Sequence, residues 1–120
     1  MVVEDDRYVA MTTQIALEQA GHRVAVFADG PSALAGTADL TPDAAMLDIG
    51  LPGMDCYELA AKLREKRNFQ DTLLIATTGR KREVVGKASE AFDHYLLKPV
   101  GIAELLNLLD RRRPEERPLL

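Results

Sequence analysis

The sequence predicts an α/β fold in which helices cover both faces of a parallel sheet. Five short apolar runs alternate along the chain with five segments of helical periodicity, a pattern typical of such sheets. Residues 73–77 form a nearly continuous apolar run, as expected for a strand that is buried on both faces. Right-handed crossovers then leave few possible topologies.

Size and composition indicate one soluble domain. The chain has 120 residues, of which 47% are hydrophobic and 28% charged, and its net charge is -4. The negative charge argues against general binding to nucleic acid or to a membrane surface. The single cysteine, Cys56, excludes an internal disulfide and fits a reducing compartment. With neither a membrane span nor a signal-peptide pattern, we expect a cytoplasmic protein or a cytoplasmic domain.

The first half of the chain contains three predicted strands and two helices. The strands cover residues 2–3, 22–27 and 44–47. We expect Asp5 or Asp6 to cap the first helix, Arg7–Ala20, and Gly21 to end it. Its predicted inner face comprises Val9, Thr13, Ala16, Leu17 and Ala20. In the second strand, residues 24 and 26 are predicted to share one face. The second helix is predicted to be short and to start at the sequence Asp29-Gly30-Pro31.

The second half is predicted to add three helices and two strands. The first helix covers Tyr57–Lys66 and turns Leu59, Ala60 and Leu63 inward. The strand at 73–77 is followed by a weakly indicated helix at 81–92 and a short strand at 95–97. The last helix covers Ile102–Arg112. We therefore expect one domain over residues 1–112 and a disordered tail over 113–120.

Polar residues end four of the predicted strands: Glu4 and Asp5, Asp48, Thr78, and Lys98. Taken alone, Asp48 could simply cap its strand or begin the turn at residues 50–53. In a parallel sheet, however, all of these residues lie at one edge. Three carboxylates there require a cation, and oxygen ligands suit Mg²⁺. A lysine that pairs with phosphate and a hydroxyl that donates to it complete a predicted aspartyl-phosphate site.

Four motifs carry a resemblance to a known family. They read V-V-E-D-D, L-D-I-G-L-P-G-M-D, T-T-G and Y-L-L-K-P, in that order along the chain. Residues 2–109 resemble the receiver domains of two-component response regulators. The resemblance implies a (βα)5 flavodoxin-like sandwich with strand order 2-1-3-4-5. It also implies a histidine kinase or phosphotransfer protein as phosphodonor.

The resemblance further implies roles for the residues of the site. Asp48 would be the phosphoacceptor and a ligand of Mg²⁺. Asp5 would bind the metal directly, Glu4 partly through water, and Gly50 through its backbone carbonyl.

Three more residues would act in the switch. Thr78 would be the switch hydroxyl, Lys98 the lysine that pairs with the phosphate, and Tyr95 the aromatic side chain that rotates. Tyr95 is equally consistent with a plain half-buried aromatic residue. A cis bond before Pro99 is also implied.

Several alternatives remain open at this stage. The domain could be an interaction module that is not phosphorylated, or an aspartate-nucleophile phosphatase of the haloacid dehalogenase type. The run Asp48-Ile49-Gly50 lacks the second acid that such phosphatases use. The resemblance implies a signalling domain that catalyses its own phosphoryl transfer and dephosphorylation and is not a conventional enzyme, so whether the chain is an enzyme stays open. It could stand alone, belong to a hybrid sensor kinase, or act on an output domain or partner. The segment 78–98 is short for the family, which predicts an irregular fourth helix.

Overall fold

The computed structural model describes residues 1–50, 55–79 and 92–116, with side chains as far as Asp110. Its sheet has five parallel strands in the order β2-β1-β3-β4-β5. The strands are β1 (Val2–Val3), β2 (Val26–Phe27), β3 (Ala44–Asp48), β4 (Leu73–Thr78) and β5 (His94–Leu97). This is the predicted flavodoxin-like topology, and it is confirmed.

Four α-helices flank the sheet within the described ranges. They are α1 (Arg7–Gln19), α2 (Gly30–Gly36), α3 (Cys56–Glu65) and α4 (Ile102–Glu116), with a short 3₁₀ helix at Arg67–Phe69. The helix predicted at 81–92 and the shortening of segment 78–98 fall on residues 80–91, outside the described part of the chain. No helix in the described part is long and apolar enough to cross a membrane.

Aspartate caps start three of the helices. The carboxylate of Asp6, rather than that of Asp5, accepts the amides of Tyr8 and Val9 at 2.9 and 3.1 Å. Asp29 caps α2 and Asp55 caps α3 in the same way. Because Asp6 performs the capping, Asp5 remains at the end of β1 with the other acids. Gly21 ends α1 with φ +95°, a conformation that favours glycine.

Two apolar clusters fill the space on either side of the sheet. Helices α2 and α3 cover one face and α1 and α4 the other. In α3 the predicted inner residues Leu59, Ala60 and Leu63 are all fully buried. Cys56, the first residue of α3, is buried with them. The strands therefore lie between two helical layers, and their carboxyl ends meet at one edge.

Three local predictions were wrong. In α1 Leu17 is buried as predicted, but Val9 is exposed and the neighbouring Ala10 is buried in its place, so the first turn faces the sheet one residue away from the predicted position. Strand β2 has only two residues because its partner β1 has only two. Val26, in this edge strand, is exposed rather than turned inward.

The third difference concerns the last helix. Its backbone stays helical to Glu116, beyond the predicted end at Arg112. The arginines and glutamates on either side of Pro114 have high helix propensity, which favours a longer helix than predicted. Disorder of the 113–120 tail stays a prediction, since residues 117–120 lie outside the described part.

Candidate functional site

Three acidic side chains meet at the carboxyl edge of the sheet. Glu4 and Asp5 follow β1, and Asp48 ends β3, which pairs directly with β1. One carboxylate oxygen of each residue lies within 4.8 Å of those of the other two. Glu4 and Asp48 are buried, whereas Asp5 is exposed. The structure thus brings together the acids that the strand ends predicted.

Lys98 reaches this cluster from the far side of β4. Its ammonium donates to Glu4 Oε1 at 2.9 Å and forms an ion pair with Asp48 Oδ2 at 3.0 Å. Its backbone amide donates to Thr78 O at 2.7 Å, which holds the end of β5 against β4. The bond between Lys98 and Pro99 is cis, as expected. Lys98 therefore bridges two acids that come from different strands.

The surroundings of Asp48 keep its carboxylate ionised. Burial acts to raise its pKa, but hydrogen bonds from the Gly50 amide, 3.0 Å from Oδ1, and from Lys98 outweigh burial. The pKa of Asp48 consequently lies below its usual value of 3.8. Asp48 thus presents a charged oxygen nucleophile.

Glu4 behaves in the opposite way. Burial raises its pKa above 4.5, and its bonds to Lys98 and to the Asp6 amide offset this only partly. The carboxylate of Asp48 raises the pKa of Glu4 further. As the pH falls, Glu4 therefore takes up a proton before Asp48 does. The pKa of Lys98 is raised because its bonds to the two acids outweigh the effect of burial.

The donor set suits a hard divalent cation. Three carboxylates and one ammonium leave two negative charges at the cluster. Charges this close are stable together only with further neutralisation. Oxygen donors from two or three side chains, together with water and a phosphate, are the ligands that Mg²⁺ uses. The residues present therefore fit Mg²⁺.

Of the other predicted residues, Gly50 contacts the cluster, whereas the Tyr95 ring packs elsewhere. Gly50 is exposed, and a Cβ there would approach only Asp48 Oδ1, at 3.7 Å. Thr78 ends β4 and is 4% exposed. Tyr95 is half-buried in β5 and does not join the acids; its ring packs edge-to-face on Phe92, with centroids 5.6 Å apart.

Two features of the surroundings were not predicted from the sequence. Arg64 donates to Asp93 Oδ2 at 3.1 Å, and the same oxygen accepts the Leu74 amide at 2.8 Å. These bonds tie α3 and the start of β4 to the start of β5, the strand that carries Lys98. Phe92, which was assigned to a helix, is instead a buried residue just before β5. Residues this far apart in sequence give no local pattern that would have revealed the contacts.

A cavity of about 600 Å³ lies at the opposite edge of the sheet. Its lining includes Met1, His22, Asp43 and Leu109 and none of the site residues. Its position away from the strands' carboxyl ends separates it from the acidic cluster.

Comparison with known proteins places these features in a family. The family model described as response regulator receiver domain matches residues 1–110. The transcriptional regulatory protein TcrA of Mycobacterium tuberculosis is 36% identical over 98% of this chain and 48% of its own length. The DNA-binding response regulator MtrA of Mycolicibacterium smegmatis is 35% identical over 98% of this chain and 52% of its own length. The chain therefore spans about half the length of these curated relatives.

Solved structures show the same similarity. A CheY-like response regulator receiver domain from Methylobacillus flagellatus has a TM-score of 0.85 and 31% identity, and the match covers 92% of this chain and 94% of that one. The receiver domain of the sensor histidine kinase PA1611 from Pseudomonas aeruginosa has a TM-score of 0.83 and 29% identity, with 92% of each chain covered. That receiver was solved with a magnesium ion coordinated in its active-site cleft.

Proposed function

The chain belongs to the response regulator receiver domains, and we propose that it accepts a phosphoryl group on Asp48 from the phosphohistidine of a histidine kinase or phosphotransfer protein. One observation carries the assignment to Asp48. Its carboxylate is held between the Gly50 amide and the Lys98 ammonium inside an acidic cluster, with a lowered pKa. A charged, oriented carboxylate beside cationic groups is the arrangement that a phosphoryl acceptor needs.

The transfer exchanges one bond to phosphorus for another. An oxygen of Asp48 forms a bond to phosphorus while the bond from phosphorus to the imidazole nitrogen breaks. The electron pair of the broken bond stays on that nitrogen, and because the other ring nitrogen of the phosphohistidine carries a proton, the histidine leaves as neutral imidazole. The Lys98 ammonium then pairs with one oxygen of the new phosphoryl group instead of with the free carboxylate. The hydroxyl of Thr78 donates a hydrogen bond to a second phosphoryl oxygen. Hydrolysis by water restores the carboxylate and releases inorganic phosphate.

We propose Glu4, Asp5, Asp48 and the backbone of Gly50 as the residues that hold Mg²⁺. When bound, the ion supplies positive charge that offsets the charge on the phosphoryl oxygens. The net charge of the cluster supports this proposal, since a divalent cation would neutralise it.

Phosphorylation is proposed to shift a pre-existing equilibrium of the domain. Thr78 would move toward the new phosphate and Tyr95 would follow. Burial of Thr78 at the end of β4 and the half-buried position of Tyr95 in the adjacent strand support the coupling. The surface around β5 and α4 would then present a changed face to an output partner.

The first helix offers a docking surface for the phosphodonor. Tyr8, Met11 and Ile15 are 72%, 51% and 48% exposed and lie at i, i+3 and i+7 on one side of α1. Since α1 starts immediately after Asp5 and Asp6, a protein that places a histidine against Asp48 would approach the start of this helix. We therefore propose that an apolar face of the phosphodonor packs there. The variant Met11→Glu should slow transfer from the donor protein but not labelling by a small phosphodonor, and equal slowing of both would contradict the assignment.

Labelling by a small phosphodonor such as phosphoramidate tests the acceptor directly. We expect Mg²⁺-dependent incorporation of one acid-stable but base-labile phosphoryl group, which Asp48→Asn abolishes. The matched control is Asp39→Asn, an exposed aspartate outside the cluster, which should label normally. Labelling that survives Asp48→Asn would contradict the assignment. Absence of labelling in the parent chain would favour an interaction module that is not phosphorylated.

A further inference from the structure

Three aromatic rings form a continuous row between α3 and β5. Tyr57 meets Phe92 edge-to-face with centroids 5.8 Å apart and planes at 75°. Phe92 meets Tyr95 at 5.6 Å and 62°. Phe92 is 6% exposed, and all three rings pack in the apolar cluster on the α2–α3 face of the sheet. The middle ring is therefore enclosed and contacts both tyrosines.

The two ends of this row lie close in sequence to the two groups that hold Asp48. Tyr57 lies in the first turn of α3, where its amide donates to the capping carboxylate of Asp55 at 2.7 Å. Helix α3 begins at Cys56, six positions along the chain from Gly50, whose amide donates to Asp48. At the other end, Tyr95 belongs to the strand that leads into Lys98, whose ammonium also holds Asp48. The three rings thus connect the helix that follows Gly50 in sequence with the strand that precedes Lys98.

The packing gives the row a physical role. An edge-to-face contact is strong enough to change an equilibrium between two ring orientations by about 2- to 10-fold. If the Tyr95 ring turns away, it loses its contact with Phe92. Because Phe92 is enclosed, its ring position depends in turn on Tyr57, and packed interiors move between discrete arrangements rather than deforming gradually.

We propose that Tyr57 and Phe92 are positioning residues that set the rotamer equilibrium of Tyr95 and couple it to the start of α3. The inference rests on the proposed function, in which Tyr95 responds to phosphorylation of Asp48. The contact seen here belongs to the arrangement in which Asp48 is a free carboxylate paired with Lys98. Weakening the row therefore favours the other Tyr95 orientation and, with it, the phosphorylated arrangement.

The test measures the χ1 rotamer populations of Tyr95 by NMR three-bond couplings in the chain without phosphate analogue. We expect Phe92→Leu to change the population ratio about 2- to 10-fold. Tyr57→Leu should change it in the same direction but less, and should have no effect when Phe92→Leu is already present. If Phe92→Leu folds poorly, Tyr57→Leu still tests the coupling, because Tyr57 is only half-buried and its replacement disturbs the core less. The exposed Tyr8→Leu is the matched control and should leave Tyr95 unchanged.

A second readout is the midpoint for beryllofluoride with Mg²⁺, which should be about 2- to 10-fold lower in Phe92→Leu than in the parent chain. Unchanged Tyr95 rotamer populations in both single variants would overturn the coupling. So would a Tyr57→Leu effect that is as large in the Phe92→Leu background as in the parent chain. The rotamer measurements need no phosphate analogue. Failure of the parent chain to bind beryllofluoride would instead overturn the proposed function, so the two failures are distinguishable.

Discussion

Replacing Lys98 with methionine removes a charge shared by two carboxylates while retaining most of the side-chain length. The ammonium lies 2.9 Å from Glu4 Oε1 and 3.0 Å from Asp48 Oδ2. The pKa of Lys98 is raised above its ordinary 10.5 and that of Asp48 is lowered below 3.8, so the pair is fully charged at pH 7. The stabilisation from Asp48 is lost only as the pH falls through its lowered pKa, and that from Lys98 only as the pH rises through its raised pKa.

The expected loss follows from the two contacts. A hydrogen bond to a charged group contributes about 1.5–3 kcal/mol when it is buried. The side chain of Lys98 is 30% exposed, so water weakens both contacts and the lower end applies. We therefore expect Lys98→Met to lower the free energy of unfolding by about 2–3 kcal/mol in the presence of a chelator. Mg²⁺ should then stabilise the variant more than the parent chain. If the variant binds the ion ten times more tightly, the difference in stabilisation is about 1.4 kcal/mol.

Urea denaturation at pH 7, with and without saturating Mg²⁺, measures both quantities. Lys62→Met is the matched control. The ammonium of Lys62 lies 3.5 Å from Glu58 with both side chains about half exposed, at 49% and 54%. Its loss should change the stability by less than about 0.5 kcal/mol and leave the gain from Mg²⁺ unaltered. The reasoning is refuted if Lys98→Met loses no stability, or if Mg²⁺ stabilises the variant and the parent chain equally.

Three further predictions concern the scaffold of the site. Asp6→Ala should lower the free energy of unfolding by about 1 kcal/mol because α1 loses its cap; unchanged urea stability would contradict this. Gly36→Ala should cost about 1–3 kcal/mol, since the new methyl overlaps the Phe27 ring, and a stabilised variant would refute that overlap. Burial raises the pKa of Cys56 to about 12 from an ordinary 9.0, so the folded chain should resist thiol reagents at pH 8 and react in urea. Rapid labelling of the folded chain would contradict the burial. The free energy of unfolding should also fall above pH 9, by about 1.4 kcal/mol per pH unit, because only the thiol of the unfolded chain ionises there.

Much of the fold was predictable because its determinants are local. The inner face of α3 follows from residues spaced at helical intervals, and the strand at 73–77 follows from an uninterrupted apolar run. Prediction failed where one element limits another. Strand β2 is short because β1 offers only two residues for pairing, and no pattern in residues 22–27 shows that limit.

The sequence alone determined which groups stand at the strand ends, because a short apolar run followed by a polar residue is a local feature. It therefore identified Glu4, Asp5, Asp48 and Lys98 and the chemistry they suit. Only the tertiary structure decided that one ammonium bridges Glu4 and Asp48, in a contact that spans 94 positions of sequence. It also decided that Phe92 lies between two tyrosines. Such contacts depend on strand order and on how enclosed side chains fill the space between layers, and these are properties of the whole packed chain.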